Sequence, residues 1–258
     1  MRIVIKVGSS TLTHSTGKLN LRTVERLVRV MSDLKNKGHE IILVSSGAMA
    51  VGITKLGLER KPSSTPKKQA VASVGQSELM AIYDKMFSDY GYNVGQILLT
   101  KDVTEDGDRR ENVINTFNAL LAYGCVPIVN ENDSVEVEEI KIGDNDTLSA
   151  IVSTCVKADL LIILSDIHNL CDSDPRKNPN AKPIYVVKEI TDEIRALAGD
   201  TSTNVGTGGM ITKIHAAEIA TQKGIPMYIA HGKNPEILYD ILEKKQVGTL
   251  FCAKEIKK

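Results

Sequence analysis

Apolar residues along this chain follow two rhythms that take turns. Runs made mostly of aliphatic and β-branched residues occur at 2–7, 41–44, 96–99, 125–129, 160–164 and 225–230. Between them, apolar positions recur three and four residues apart, as in Leu21, Val24, Leu27, Val28, Met31 and Leu34. The runs predict strands buried on both faces, and the wider spacing predicts helices with one buried side. Further helices are expected from Ala48, in a long segment ending near Tyr90, around 114–121, and at 148–156, 210–223 and 235–242. Short strands are expected at 184–187 and 248–252, and a Pro- and Asn-rich loop at 166–183. Asn20 is placed as a helix cap, and Gly38, Gly91 and Gly124 as helix stops. Strand–helix alternation of this kind predicts an α/β fold, a three-layer αβα sandwich on a mostly parallel central sheet. No repeat or low-complexity linker divides the chain. Residues 1–258 read as a single domain whose two halves form lobes of one sheet.

Composition narrows the function classes. With 42% hydrophobic residues the chain can bury a sizeable core. Its formal net charge is zero, which gives no reason to expect nucleic acid or an acidic membrane as partner. Aromatics make up only 4% and Trp is absent, which argues against base-stacking platforms. No apolar run approaches the ~18 residues of a membrane span. Met1 leads straight into a strand pattern with no basic or apolar leader segment, so no secretory leader is expected. Cys125, Cys155, Cys171 and Cys252 are scattered without a CxxC pair, as expected of cytoplasmic thiols. The five histidines form no ligand cluster, so any metal should arrive with a substrate.

The most unusual stretch runs from Asn130 to Asp146, where seven acids meet one lysine. Acid runs are commonly solvated loops. Here Asn130, Asn132 and Asn145 interleave with Asp133, Asp144 and Asp146, offering defined donors and acceptors at a strand end, where α/β sheets bind ligands. Lys6, near the end of the first strand, either snorkels to solvent or meets an anion. Taken alone, solvent is the better reading. The turns at Gly8-Ser9-Ser10 and Ser45-Ser46-Gly47 both follow strands and could hold an anion, or could simply cap helices. Gly206, Gly208 and Gly209 open a helix carrying Thr212 and Lys213 one turn in, an arrangement suited to phosphate. It matches neither the Walker P-loop nor the dinucleotide fingerprint. Ser165-Asp166 ends another strand, with Asp174-Pro175-Arg176 beyond it, either as a nucleotide-pocket wall or as a surface turn.

Together these segments resemble the amino acid kinase family. The marks are Ile5-Lys6-Val7-Gly8-Ser9-Ser10, Val44 to Ala48, Asn130-Glu131-Asn132-Asp133, Ile142 to Asp146, Asp174-Pro175-Arg176 and Gly206 to Lys213. The resemblance covers essentially the whole chain. The Asn-Glu-Asn-Asp and Gly-Asp-Asn-Asp pair is similar to the members that phosphorylate glutamate. It implies ATP-dependent transfer to the γ-carboxylate of L-glutamate, the opening step of proline biosynthesis, with Mg²⁺ accompanying ATP. By motif position it implies Lys6, Asp146 and Lys213 as catalytic residues, with Asp146 holding both lysines. Ser46, Asp133, Asp144 and Asn145 would bind the amino acid. Lys6, Gly8, Ser165, Asp166 and Thr207, Gly208, Gly209, Met210, Ile211, Thr212 and Lys213 would line the nucleotide site. It further implies proline as feedback inhibitor and a homo-oligomer, dimer or tetramer. Other acceptors within the family, aspartate or a phosphate, and a non-catalytic amino-acid sensor of the same fold stay open as alternatives. Two departures stand out. Asn169-Leu170-Cys171 replaces the usual Gly-Leu-Tyr, where Asn would keep the turn by adopting a left-handed backbone. The RNA-binding type of PUA module found at the C-terminus of many members is expected to be absent.

Overall fold

The computed structural model describes residues 1–100, 107–135, 145–175, 177–198 and 209–254. In chain order the elements are β1 (Arg2–Val7), α1 (Ser9–Leu12), α2 (Leu21–Asn36), β2 (Glu40–Ser45), α3 (Ala48–Lys55), α4 (Thr65–Ser88), β3 (Val94–Leu99), α5 (Gly107–Ala122), β4 (Val126–Glu131), α6 (Asn145–Cys155) and β5 (Leu160–Ser165). They continue with β6 (Leu170–Cys171), β7 (Pro183–Ile184), β8 (Val186–Val187), α7 (Asp192–Ala196), α8 (Met210–Gln222), β9 (Met227–His231), α9 (Ile237–Leu242) and β10 (Thr249–Phe251).

Eight strands form one sheet in the order β3-β4-β2-β1-β5-β9-β10-β8, and β6 pairs with β7 in a separate hairpin. β1 is central, parallel to β2 on one side and to β5 on the other. Strands of the first half extend outward from β2, and those of the second half from β5. The switch in direction therefore falls beside β1, and open α/β sheets bind ligands in the crevice at the carboxyl ends of the strands beside such a switch.

The period-two alternation of each strand sorts its side chains between two helical layers. Val4, Ile42, Val44, Val129, Leu161 and Ile163 pack with Phe117 of α5, Leu148 and Val152 of α6, and Ile214 and Ala217 of α8. Ile3, Ile5, Val7, Ile41, Leu43 and Ile162 pack with Val24, Leu27 and Met31 of α2, Leu79, Tyr83 and Phe87 of α4, and Leu238 of α9. Lys6 shares the parity of Val4, so its side chain is directed toward α6 and α8.

Several sequence expectations are corrected in detail. The turn after β1 is a single helical turn, α1, too short to leave an apolar period. The region 184–187 is two strands in two different sheets, and β10 runs antiparallel to β9. The loop at 166–183 contains β6, and α7 was not anticipated. Asn169 does not adopt a left-handed backbone, since among the described residues only Lys157 and Lys244 do so outside glycine. Its side-chain amide instead donates to the Gly248 carbonyl, tying the loop to the strand edge. Asn20 does cap α2, accepting from the Thr23 amide at 3.2 Å.

Candidate active site

Lys6 is buried, and this overturns the solvent reading that its sequence position alone favoured. Its ammonium lies 2.6 Å from Oδ1 of Asp146, a side chain with no solvent exposure. Oδ2 of the same carboxylate accepts from the Lys213 ammonium at 3.0 Å and from the Thr212 hydroxyl at 2.9 Å. Three distant elements therefore converge on one carboxylate: the central strand, the first turn of α6 and the first turn of α8. A lone ammonium in such a place would be prohibitively costly, and pairing with a buried anion makes it tolerable. Burial pushes the Asp146 carboxyl upward, but the charges of Lys6 and Lys213 and their hydrogen bonds outweigh it, leaving it below the ordinary carboxylate value. The positive end of α6 also favours the ionised form. Two ammonium groups held on one carboxylate suit the approach of a polyphosphate.

Gly8 lies directly over this cluster. A Cβ there would stand 3.6 Å from the Lys6 ammonium. Its own N–H donates to the Leu164 carbonyl at 3.3 Å, which ties the turn to the end of β5. Ser165 and Asp166 follow at that end, with the Ser165 hydroxyl donating to the Asp166 carboxylate at 3.1 Å. Beside them His168 stacks on His231, ring centroids 4.1 Å apart. Gly209, Met210, Ile211 and Thr212 open α8. A Cβ on Gly209 would meet nothing within 4 Å among the described residues. Thr207 and Gly208, with Gly206, lie outside the described residues, as do Asp144, Gly143 and Arg176.

A second polar group sits beside the first. Gly47 takes a left-handed backbone, φ 110°, which lets β2 turn sharply into α3 and presents Ser46 at the crevice. The Asn145 side-chain amide donates to the Ser46 hydroxyl (2.8 Å), to the Ser45 carbonyl (3.2 Å) and to Oδ1 of Asn130 (2.9 Å). The Ser45 hydroxyl shares a 2.9 Å bond with Tyr83, whose hydroxyl burial pushes up to about 12. Asp133 lies in the turn after β4, where it lines a small recess with Gln76 and Glu131. Reasoning from sequence missed Gln76, Tyr83 and the inward role of Asn130. The available signal was Gly75-Gln76, a polar residue flanked by a small one on the helix face that also buries Val71, Ala72, Leu79 and Phe87.

A larger cavity of about 300 Å³ opens at the amino ends of β5 and β9, the opposite end of the strands, lined in part by Arg110, Lys157 and Lys223. The two lysines follow the C-termini of α6 and α8, where cations complement the helix dipole. This cavity lies apart from the converging charges.

The model of the amino acid kinase family matches residues 1–231. A glutamate 5-kinase of Clostridium perfringens is 55% identical over 258 residues, covering 98% of this chain and 96% of that protein. One from Clostridium tetani is 57% identical over 251 residues, covering 97% and 94%. The chain belongs to the amino acid kinase family. Solved structures agree on the fold of this amino acid kinase. Isopentenyl phosphate kinase of T. acidophilum superimposes with a TM-score of 0.68 at 15% identity, over 97% of this chain and all of that one. Carbamate kinase of Giardia lamblia bound to AMP-PNP gives 0.68 at 16% identity, over 98% of each chain. No helix among the described residues is long and apolar enough to cross a membrane.

Proposed function

We propose that this amino acid kinase transfers the γ-phosphoryl group of ATP to the γ-carboxylate of L-glutamate, giving γ-glutamyl phosphate and ADP. The observation that carries the reading is the convergence of Lys6 and Lys213 on Asp146 beside the Ser46–Asn145 group. Relatives more than half identical and matched over nearly their full length are glutamate 5-kinases, which supports the acceptor.

The chemistry asks little of a base. A glutamate γ-carboxylate has an unperturbed pKa near ~4.3 and is an ionised nucleophile at neutral pH. One of its oxygens attacks the γ-phosphorus, and the bond to the β-phosphate oxygen breaks with its electrons left on ADP. The obstacle is the approach of a carboxylate to a polyphosphate. In this reading Lys6 and Lys213 neutralise the charge that spreads over the transferring group, and Asp146 holds both ammonium groups in place before the substrate arrives. Asp133 meets the substrate ammonium, with Ser46, Asn145 and Asp144 around the α-groups. Gly8, Ser165, Asp166 and the 207–213 segment line the nucleotide site.

Mg²⁺ fits this arrangement as an ion carried by the nucleotide. Among the described residues no three His, Cys, Asp or Glu side chains gather into a metal cage, and an ion bound largely by phosphate oxygens and water needs none. When bound, it supplies further neutralisation of the phosphate oxygens. The same reading extends to proline as a competing ligand and to a homo-oligomer, which inhibition assays and sedimentation would check.

Hydroxylamine trapping with Mg-ATP and single acceptors tests the assignment. Glutamate is expected to yield hydroxamate, and aspartate and N-acetylglutamate are not. Aspartate falls about one methylene, roughly 1 Å, short, and misplacement on that scale costs about 10²-fold. Comparable product from either analogue would overturn the acceptor assignment.

A further inference from the structure

Gln76 projects from α4 with only 9% of its surface exposed, so its amide requires partners inside the protein. Its Oε1 accepts from Nδ2 of Asn130 at 2.9 Å. Asn130, itself 4% exposed, turns its Oδ1 the other way, accepting from the Glu131 backbone N–H at 2.9 Å and from Nδ2 of Asn145 at 2.9 Å. Two main-chain groups make the sense of this chain unambiguous. The Glu131 N–H can only donate, so the Asn130 atom facing it is oxygen. The Ser45 carbonyl can only accept, so the Asn145 atom facing it is nitrogen. Nδ2 of Asn145 therefore faces the Ser45 carbonyl, the Ser46 hydroxyl and Asn130, which leaves its Oδ1 as the acceptor on the other branch of the amide.

The anchor at the far end is rigid. A Cβ on Gly75 would fall on the Ala48 carbonyl and the Gly52 amide, and one on Gly52 would fall on the Val71 carbonyl. α4 thus meets α3 backbone to backbone, immediately after the Ser46-Gly47 turn. Gln76 is fixed relative to Ser46 through this crossing, and relative to Asn145 through Asn130.

We infer that Gln76 is a positioning residue for amino-acid recognition, acting through Asn130 to hold the Asn145 carbonyl toward the substrate ammonium. The inference rests on the amino-acid acceptor proposed above. Gln76 also lines the recess that contains Asp133, so the same side chain borders the Asp133 side directly and reaches Asn145 through Asn130. Without its acceptor, the buried Asn130 amide loses its partner and has reason to rotate toward Asn145, where donor would face donor.

The test compares Gln76→Met, which keeps length but lacks an acceptor, with Gln76→Glu, which restores an oxygen. Steady-state kinetics are measured for glutamate and for ATP, alongside thermal melting. Gln76→Met is expected to raise the glutamate KM about tenfold, the scale of one lost buried hydrogen bond. The ATP KM and kcat should move less than about threefold, and Gln76→Glu should recover most of the glutamate KM. Unchanged glutamate KM in Gln76→Met, or parallel loss of both KM values, kcat and melting temperature, would overturn the positioning role. Wild-type turnover of glutamate is measured in the same series, so a failure of the acceptor assignment shows there, before either variant is compared.

Discussion

Replacing Asp146 by Asn removes one charge and changes almost no volume. The carboxylate sits 2.6 Å from one ammonium and 3.0 Å from another, with no exposure to water. At an effective dielectric of ~20, each contact represents about 6 kcal/mol of gross attraction. Most of that offsets the cost of burying the charges, and the loss on breaking one partner of such a group is about 3–5 kcal/mol. Asn aggravates the loss, because one end of its amide must point an N–H at an ammonium. At roughly 2–4 °C per kcal/mol for a domain of this size, the melting temperature should fall on the order of 10 °C. Catalysis should fall with it, by at least ~10² in kcat, because both lysines lose their fixed position. Mg-ATP should raise the melting temperature of the variant more than that of the wild type, since its phosphates supply the missing negative charge. The acid limb gives a further check. The folded state holds Asp146 below its ordinary value, so protons bind the unfolded chain more readily. The contribution is complete at neutral pH, above the unfolded value of ~3.9, and is lost as pH drops through the lower folded value. The stability gap between wild type and variant, measured by urea melts, should therefore narrow below about pH 4. A variant with wild-type melting and kcat would refute the cluster, and one with lowered melting but full kcat would make Asp146 purely structural.

Lys213→Ala should cut kcat by at least ~10²-fold with a smaller change in glutamate KM, in the same hydroxamate assay. Asp133→Ala should weaken glutamate binding about 30-fold, the lower end for losing a charge partner at a half-buried site, while ATP binding measured by titration stays close to normal. Gly75→Ala should destabilise by about 1–3 kcal/mol in urea, because the new Cβ meets main chain that cannot swing aside. Unchanged stability there would show that the α3–α4 crossing yields more easily than its geometry implies.

The layers of the fold were legible because buried strands and one-sided helices leave different periods. Lys6 shows where that legibility ends. The β-branched run around it announced a central strand, and parity fixed which face it occupied, but its partner lies in a helix encoded far downstream. Nothing local distinguishes a lysine awaiting Asp146 from one reaching for water. The family resemblance supplied the pairing, and the geometry then supplied its reason. Gln76 and Tyr83 were hidden for a related cause. Each is polar within an ordinary helical period, and its function lies in what the sheet places opposite. The short elements α1, α7 and β6 were missed because one turn or two residues leave no period to read. β10 was expected as a strand, but its antiparallel sense depends on the turn before it, where Gly248 takes φ 62° against the Ile229 carbonyl.

The strand at the centre of the sheet comes before both of its neighbours along the chain. β1 can pair with β2 early, but its other edge must wait for β5, which begins at Leu160. At bacterial-type elongation speeds of about 5–20 residues per second, that delay is on the order of 10–30 s. For all of that time the nascent chain carries an apolar strand with one row of main-chain donors and acceptors unmatched, a template for pairing with a neighbouring chain. Lys6 interrupts that run with a charge, and inward-pointing charges are one way in which strand edges resist edge-to-edge association. Replacing Lys6 by an apolar residue should accordingly lower the soluble yield of newly made protein by more than the loss of one partner of Asp146 in the finished fold accounts for.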